Sequence, residues 1–246
     1  MLKLALIYLV VLVTSCMTVP AAQTGRVLGT GKTGGYMGFG MLSGATMDSE
    51  TGTTQKSDSI AMISGIRHGF SETVDLGMRG NSLGLFSMEG KVRLVSNQEF
   101  ALATGLGVGY GSHRKSSDYD NGNPYSIAVL TSDLPIYWSY DLSKSSSLYG
   151  SLRYFFAKNS NQSTKVDPTD DSYSRFAIVS VGLMQRGSVG YFGEVVHMKD
   201  LTKDASYTQL DIVAGLVFGE GTANNSQDTG PTRAPPAATP RRKKAM

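Results

Sequence analysis

Three histidines, one cysteine and a glycine-rich Lys-Thr turn are the residues of this 246-residue chain whose types could do chemistry. His113 has Ser112, Ser116, Asp118 and Asp120 close by in sequence, and His197 has Asp200. A histidine held by a carboxylate can act as the general base of a hydrolytic step. Neither group follows a fixed nucleophile spacing, and His68 stands apart beside Gly69. Asp167, Asp170 and Asp171 could offer oxygens to Ca²⁺, but they lack the ordered spacing of a calcium loop. Gly29-Thr30-Gly31-Lys32-Thr33 has the end of a phosphate loop without its beginning. The first glycine of G-x-x-x-x-G-K-T would fall at Arg26, and no apolar strand leads into the segment. These residues assign no reaction, and the expectation is a non-enzymatic protein without cofactor or metal.

The lone cysteine is informative through its position. It excludes an internal disulfide framework and a multi-thiolate metal site. It follows Lys3 and the apolar run Leu4 to Val13, which is too short for a bilayer-spanning helix and reads as a removable signal. Val13-Thr14-Ser15-Cys16 resembles the bacterial lipobox, an aliphatic residue and two small ones before an invariant cysteine. That resemblance implies that residues 1–15 are a lipoprotein signal peptide and that Cys16 carries the lipid, with 16–32 as linker. Met17 in place of Asp fits export to the outer membrane.

The elements that would position these residues are strands. Charged residues are 17% of the chain and glycine is 29 of 246, which argues against charged disorder, coiled coil and an ordinary helical enzyme. The net charge of +3 shows no dense basic stripe before the last six residues, so no nucleic-acid partner is expected. From Thr33 to Gly219 the chain alternates with period two in ten segments, about 33–44, 58–68, 73–81, 84–95, 99–112, 125–140, 147–158, 172–185, 188–199 and 206–218. Phe86, Met88, Gly90, Val92 and Leu94 share one face against Ser87, Glu89, Lys91 and Arg93. Opposite Phe100, Leu102, Thr104, Leu106, Val108 and Tyr110 every residue is Ala or Gly. Pro135 removes a ladder donor, so a bulge or a split strand is expected there.

Apart from a tight connection at 82–83, those after odd-numbered segments are at least as long as those after even ones. A barrel whose two ends face different environments has that parity. The minority faces place Arg67, Arg79, Lys91, Arg93, Arg153 and Arg175 inside with Asp75, Glu89, Asp133, Glu194 and Asp211. Six cations against five anions predict a salt-bridged filling of a narrow lumen rather than an open channel. Tyr137, Trp138, Tyr140 and Tyr149 flank one short turn, while Tyr110, Tyr119, Tyr125, Tyr154, Phe156, Tyr173 and Tyr207 border longer loops, as interfacial girdles do.

The whole resembles the small outer-membrane β-barrels of Gram-negative bacteria, in particular those with an N-terminal lipid. The expected fold is all-β, a closed antiparallel up-and-down transmembrane β-barrel of about ten strands, with eight or twelve as alternatives, over 33–219. Gln209 to Phe218 is similar to the aromatic-ended last strand read by the barrel-insertion machinery. Residues 220–246, ending in Arg241-Arg242-Lys243-Lys244, lack apolar periodicity and read as a disordered periplasmic tail that could touch anionic lipid or cell wall. The expected role is structural or surface-interacting, through the loops near 45–57, 113–124, 159–171 and 200–205. A narrow, porin-like channel, a rim hydrolase and a lipid-tethered soluble barrel are the alternatives. Expected partners are outer-membrane lipids and a surface ligand.

Overall fold

The computed structural model describes residues 22–47, 54–82, 84–115, 125–162, 172–202 and 206–219. Residues 1–21, to which the expected signal and Cys16 belong, and residues 220–246, expected as a tail, lie outside them. Ten strands follow one another: β1 (Thr33–Met47), β2 (Thr54–Gly69), β3 (Val74–Asn81), β4 (Leu85–Ser96), β5 (Phe100–Lys115), β6 (Tyr125–Asp141), β7 (Ser146–Gln162), β8 (Ser172–Gln185), β9 (Val189–Asp200) and β10 (Ser206–Phe218). Each pairs antiparallel with its neighbours in sequence, and β1 pairs with β10 from Gly35 opposite Phe218 to Met47 opposite Ser206. The sheet is thus a closed up-and-down barrel of ten strands, and closure removes both open edges.

Alternation sets the two faces. On β9 burial switches at every residue, with Tyr191, Val195 and His197 outward and Phe192, Glu194, Val196 and Met198 inward. The outer face exposes large apolar side chains around the barrel, including Phe39, Ile60, Met88, Leu106, Leu130, Leu152, Leu183 and Ile212. An apolar exterior around a charged interior inverts the arrangement of a water-soluble barrel and suits a lipid surround. The connections 70–73, 97–99, 142–145 and 186–188 lie at the end where β1 begins and β10 stops. The connections 48–53, 82–84, 116–124, 163–171 and 201–205 lie at the other, and all but 82–84 exceed four residues.

Pro135 neither splits β6 nor produces a bulge. The strand runs unbroken, and the ladder to β5 omits the positions of Gly105 and Leu106 while keeping register on either side, from Thr104 opposite Ile136 to Gly107 opposite Asp133. The Thr104 hydroxyl donates to the Pro135 carbonyl at 2.9 Å. A register shift occurs instead between Arg93 and Val95, where β4 nears its end.

Candidate functional site

The lumen is filled in three tiers, starting at the end where β1 begins and β10 stops. In the lowest tier lies the N-terminal segment itself. Residues Ala22, Gln23 and Thr24 are buried, and the chain leaves the lumen through a turn at Gly29–Lys32 before entering β1. Lys91 of β4 donates to the carbonyls of Thr24 at 2.9 Å and Arg26 at 2.8 Å, with its ammonium 5.4 Å from the centre of the Tyr137 ring. The Leu28 amide donates to Asp75 at 3.2 Å, and Asp75 is ion-paired with Arg67. Arg26 pairs with Asp141 at 2.6 Å and donates to the carbonyls of Asn97 and Gln98 in a neighbouring turn. Arg186 shares Asp141, which also accepts from the Ser147 hydroxyl at 2.7 Å.

The middle tier is a charge lattice. Arg79 lies 3.3 Å from Glu89 and 2.5 Å from Asp133, and its Nε donates to Ser87 at 3.0 Å. Arg153 pairs with the same Asp133, and the Tyr137 hydroxyl donates to Glu89 at 2.7 Å. Across the lumen, Glu194 accepts from the Ala22 amide at 2.9 Å and the Tyr149 hydroxyl at 3.4 Å, while Gln209 donates to Asp211 at 2.6 Å. A cavity of about 10 Å³ beside Arg79, Asp133, Arg153 and Phe155 has room for about one water. The third tier, towards the longer connections, is apolar: Val129, Phe155, Phe176, Ile178, Val196 and Met198 pack together with Ala157.

The all-small inner face of β5 makes room for these tiers. A Cβ on Gly25 would stand 2.4 Å from the Ala101 carbonyl oxygen, so only glycine lets the N-terminal segment lie against β5 here. Gly107 and Gly109 face Asp133 and Thr131 of β6 in the same way.

The structure places Arg67, Asp75, Arg79, Glu89, Lys91, Asp133, Arg153, Glu194 and Asp211 in the lumen, all buried. Arg93 keeps the inward parity but is half-buried, at the register shift near the rim. Arg175 corrects the expectation. It is exposed on the outer face, because the alternation of β8 points Ser174, Phe176, Ile178 and Ser180 inward. The minority-face rule assigns a lone charge to the interior, and here the inner face of β8 belongs to the apolar tier. Tyr137 and Tyr149 are likewise lumen residues and not part of a girdle, whereas Tyr110, Tyr140, Tyr154 and Tyr173 are exposed.

His197 is exposed on the outer face while Asp200 is buried inside, so the barrel wall separates that pair. The side chains around His113 and the aspartates 167, 170 and 171 lie outside the described residues. His68 is exposed, with Nδ1 2.8 Å from the Thr33 hydroxyl. No group of metal-ligating side chains occurs among the described residues.

No protein-family model matches the chain, and no curated protein matches it in sequence. Among solved structures it is similar to the outer membrane protease OmpT from Escherichia coli, at 13% identity over 76% of this chain and 96% of that one, with a TM-score of 0.46. It is similar also to Ail, the attachment invasion locus protein of Yersinia pestis, at 12% identity over 77% and 99%, with a TM-score of 0.42. The translocator domain of the autotransporter NalP from Neisseria meningitidis matches at 12% identity over 77% and 88%, with a TM-score of 0.46. The likeness is one of barrel architecture.

The buried N-terminal segment is what the sequence reading missed, since it treats 16–32 as a linker. Its signals are there in retrospect: a small inner face on β5 that needs a filler, and glycines at 25, 29 and 31. The false phosphate loop is the turn by which the segment leaves the lumen. Gly29 has φ +83°, and the Thr30 amide and hydroxyl donate to Glu72 at 3.2 and 3.0 Å. The turn does hold an anion, but the anion is the chain's own carboxylate. The Thr30 amide first, then its hydroxyl, keeps the Glu72 carboxyl below its ordinary value of 4.5.

Proposed function

We propose that this chain is a bacterial outer-membrane barrel, held additionally by a lipid on Cys16 in the periplasmic leaflet, that conducts no solute and catalyses no reaction. Its working surface is the set of connections at the end away from the termini, which would carry a surface ligand. The carrying observation is the filled lumen: buried ion pairs, an apolar tier and the chain's own N-terminal segment occupy the path a solute would take. The apolar outer face supports the membrane setting, and the separation of His197 from Asp200 by the barrel wall speaks against a rim hydrolase built on that pair. An even strand number leaves both termini on one side, the periplasmic one in this reading. The basic residues 241–244 would then meet anionic lipid or cell wall there, and β10, ending at Phe218, would present the insertion signal to the barrel-assembly machinery.

Gel mobility of outer-membrane fractions, unboiled against boiled in SDS, tests the reading with wild type and Cys16→Ala. A heat-dependent shift in both, with altered sorting of the variant, is the expected result. No shift, with release of the variant into the soluble fraction, refutes the membrane barrel. Steady unit conductance of the folded wild type in a planar bilayer refutes the closed lumen.

A further inference from the structure

The wall of the barrel is closed over only part of its height. β3 has 8 residues, whereas β2 and β5, which flank the β3–β4 hairpin, have 16 each. The ladder between β2 and β3 ends at Ile63 opposite Asn81, and that between β4 and β5 ends at Leu85 opposite Gly111. β2 continues upward beside β1 to Thr54, and β5 continues beside β6 to Lys115. Above the turn at 82–84 the wall therefore has a notch, three strand spacings or about 14 Å wide, with no described strand in it.

The edge of β2 that borders the notch carries a row of unpaired backbone groups. The Ser82 amide donates to the Met62 carbonyl at 2.9 Å, and the Met62 amide donates to the Ser82 hydroxyl at 3.0 Å, so Met62 turns both of its backbone groups away from β1. Antiparallel pairing repeats every two residues. Ile60, Asp58, Lys56 and Thr54 thus turn theirs the same way, while Ala61, Ser59, Ser57 and Gln55 bond to β1. No described residue pairs with that row of amides and carbonyls. At about 3.3 Å per residue and a tilt near 40°, Ile60 stands roughly 23 Å above Gly69, at the upper border of an apolar band about 25 Å tall. The sequence changes at the same height: residues 54–59 are all polar in type, whereas Ile60 and Met62 are apolar. Ile60, at 72%, is the most exposed large apolar residue among the described ones. Below the border the hairpin pairs the edge, as lipid requires; above it the row faces water and is a template for another strand.

We propose that β2, along residues 54–61, accepts an extended segment of a different polypeptide as an added strand at the outer membrane surface. The proposal deepens, and rests on, the reading of that end as the ligand-bearing surface of a membrane barrel. An extended peptide offers complementary amides and carbonyls at the two-residue repeat that the edge presents. A second copy in the same membrane does not fit. Two barrels side by side in one orientation bring their β2 strands together with opposite tilts, so the strands cross at roughly 80° and form no ladder. Ile60 and Met62, paired with the exposed Met41 and Phe39 of β1, give the added strand an apolar foot, so its membrane-proximal end carries an apolar side chain.

The test follows amide exchange by NMR in the full chain folded into nanodiscs, with an alternating Thr-Val nonapeptide as the probe. Without peptide, the amides of Lys56, Asp58 and Ile60 exchange about tenfold or more faster than those of Ser57, Ser59 and Ala61. Millimolar peptide slows the first set to the rate of the second, and the same peptide fully N-methylated, which has no donors, does not. Asp58→Pro removes one edge amide without touching a bond to β1 and weakens binding about tenfold, while Asp58→Ala binds as wild type does. Slow exchange at Lys56, Asp58 and Ile60 in the free protein means that the edge is already covered and overturns the site. So does exchange that the peptide leaves unchanged, or equal slowing by the N-methylated peptide or in Asp58→Pro. A gel heat shift is measured for wild type and both variants. Its absence in wild type sinks the membrane-barrel reading and the site together, whereas any of the other failures in heat-shifting protein sinks the site alone.

Discussion

Replacing Asp133 with asparagine keeps the volume of the side chain that Arg79 and Arg153 share and removes its charge. Both arginines are buried, so neither can turn to water for compensation. Removing one partner of a buried ion pair costs about 3–5 kcal/mol, most of it from the charge left behind. Arg79 keeps Glu89 at 3.3 Å and Ser87 at 3.0 Å, and the asparagine oxygen still accepts one hydrogen bond. The lower end of the range therefore applies, about 3 kcal/mol, or roughly a hundredfold in the folding equilibrium. The assay is denaturant unfolding from lipid vesicles, followed by emission of Trp138, the single tryptophan, half-buried on the outward side of β6. The midpoint should fall with the slope unchanged. Adding Arg153→Met removes one of the two buried cations that shared the lost charge and should recover part of the loss. A single variant within about 0.5 kcal/mol of wild type, or a double variant no better than the single one, refutes the account of the middle tier as a paired and charge-dependent lattice.

Gly25→Val should unseat the N-terminal segment, because its Cβ would collide with the Ala101 carbonyl. Trypsin then cleaves after Arg26 in the folded variant while wild type resists, and equal resistance counts against the seating described above. The Thr30–Glu72 contact should respond to acid. A carboxyl held below its ordinary value stabilises the contact fully above about pH 4.5, and that contribution is lost as the pH falls through the lower folded value. Exchange protection of the Thr30 amide should therefore drop across that acidic window, and Glu72→Gln should abolish the dependence. Protection that is flat with pH in wild type contradicts it.

The barrel was legible in the sequence because its signal is periodic. Alternation of the kind seen at Phe86 to Leu94 gives the outward side of a strand, and ten such stretches joined by unequal connections point to a closed up-and-down barrel. Strand ends were less legible: β2 begins at Thr54 rather than near 58, and β7 runs to Gln162 rather than 158, because pairing continues where apolar alternation stops. The interior charges were readable as inward parity, but their partners were not. Nothing in the sequence says that Asp133 of β6 serves Arg79 of β3 as well as Arg153 of the adjacent β7, since the first of these contacts depends on β3 reaching β6 across the lumen. Arg175 misled for a physical reason, because at the rim a charge is tolerated on the outer face. Residues 22–32 escaped because a non-periodic segment carries no signature of burial. Several of its contacts are made by backbone amides and carbonyls, which every residue type possesses, beside the Arg26 guanidinium on Asp141 and the Thr30 hydroxyl on Glu72.

The geometry of that segment also bears on when its bonds can form. It contacts β3 through Asp75, β4 through Lys91, β6 through Asp141 and β9 through Glu194, across sequence separations from 47 to 172 residues. A sheet that has not reached β9 carries at most three of these partners, and all four line one lumen once β1 has met β10 and the wall is complete. Bonds that form after closure would be absent from a rate-limiting step that precedes it, and would act on the lifetime of the finished barrel more than on the speed of its making. The segment that precedes every strand along the chain is in this sense the last to settle, and it latches the seam from within.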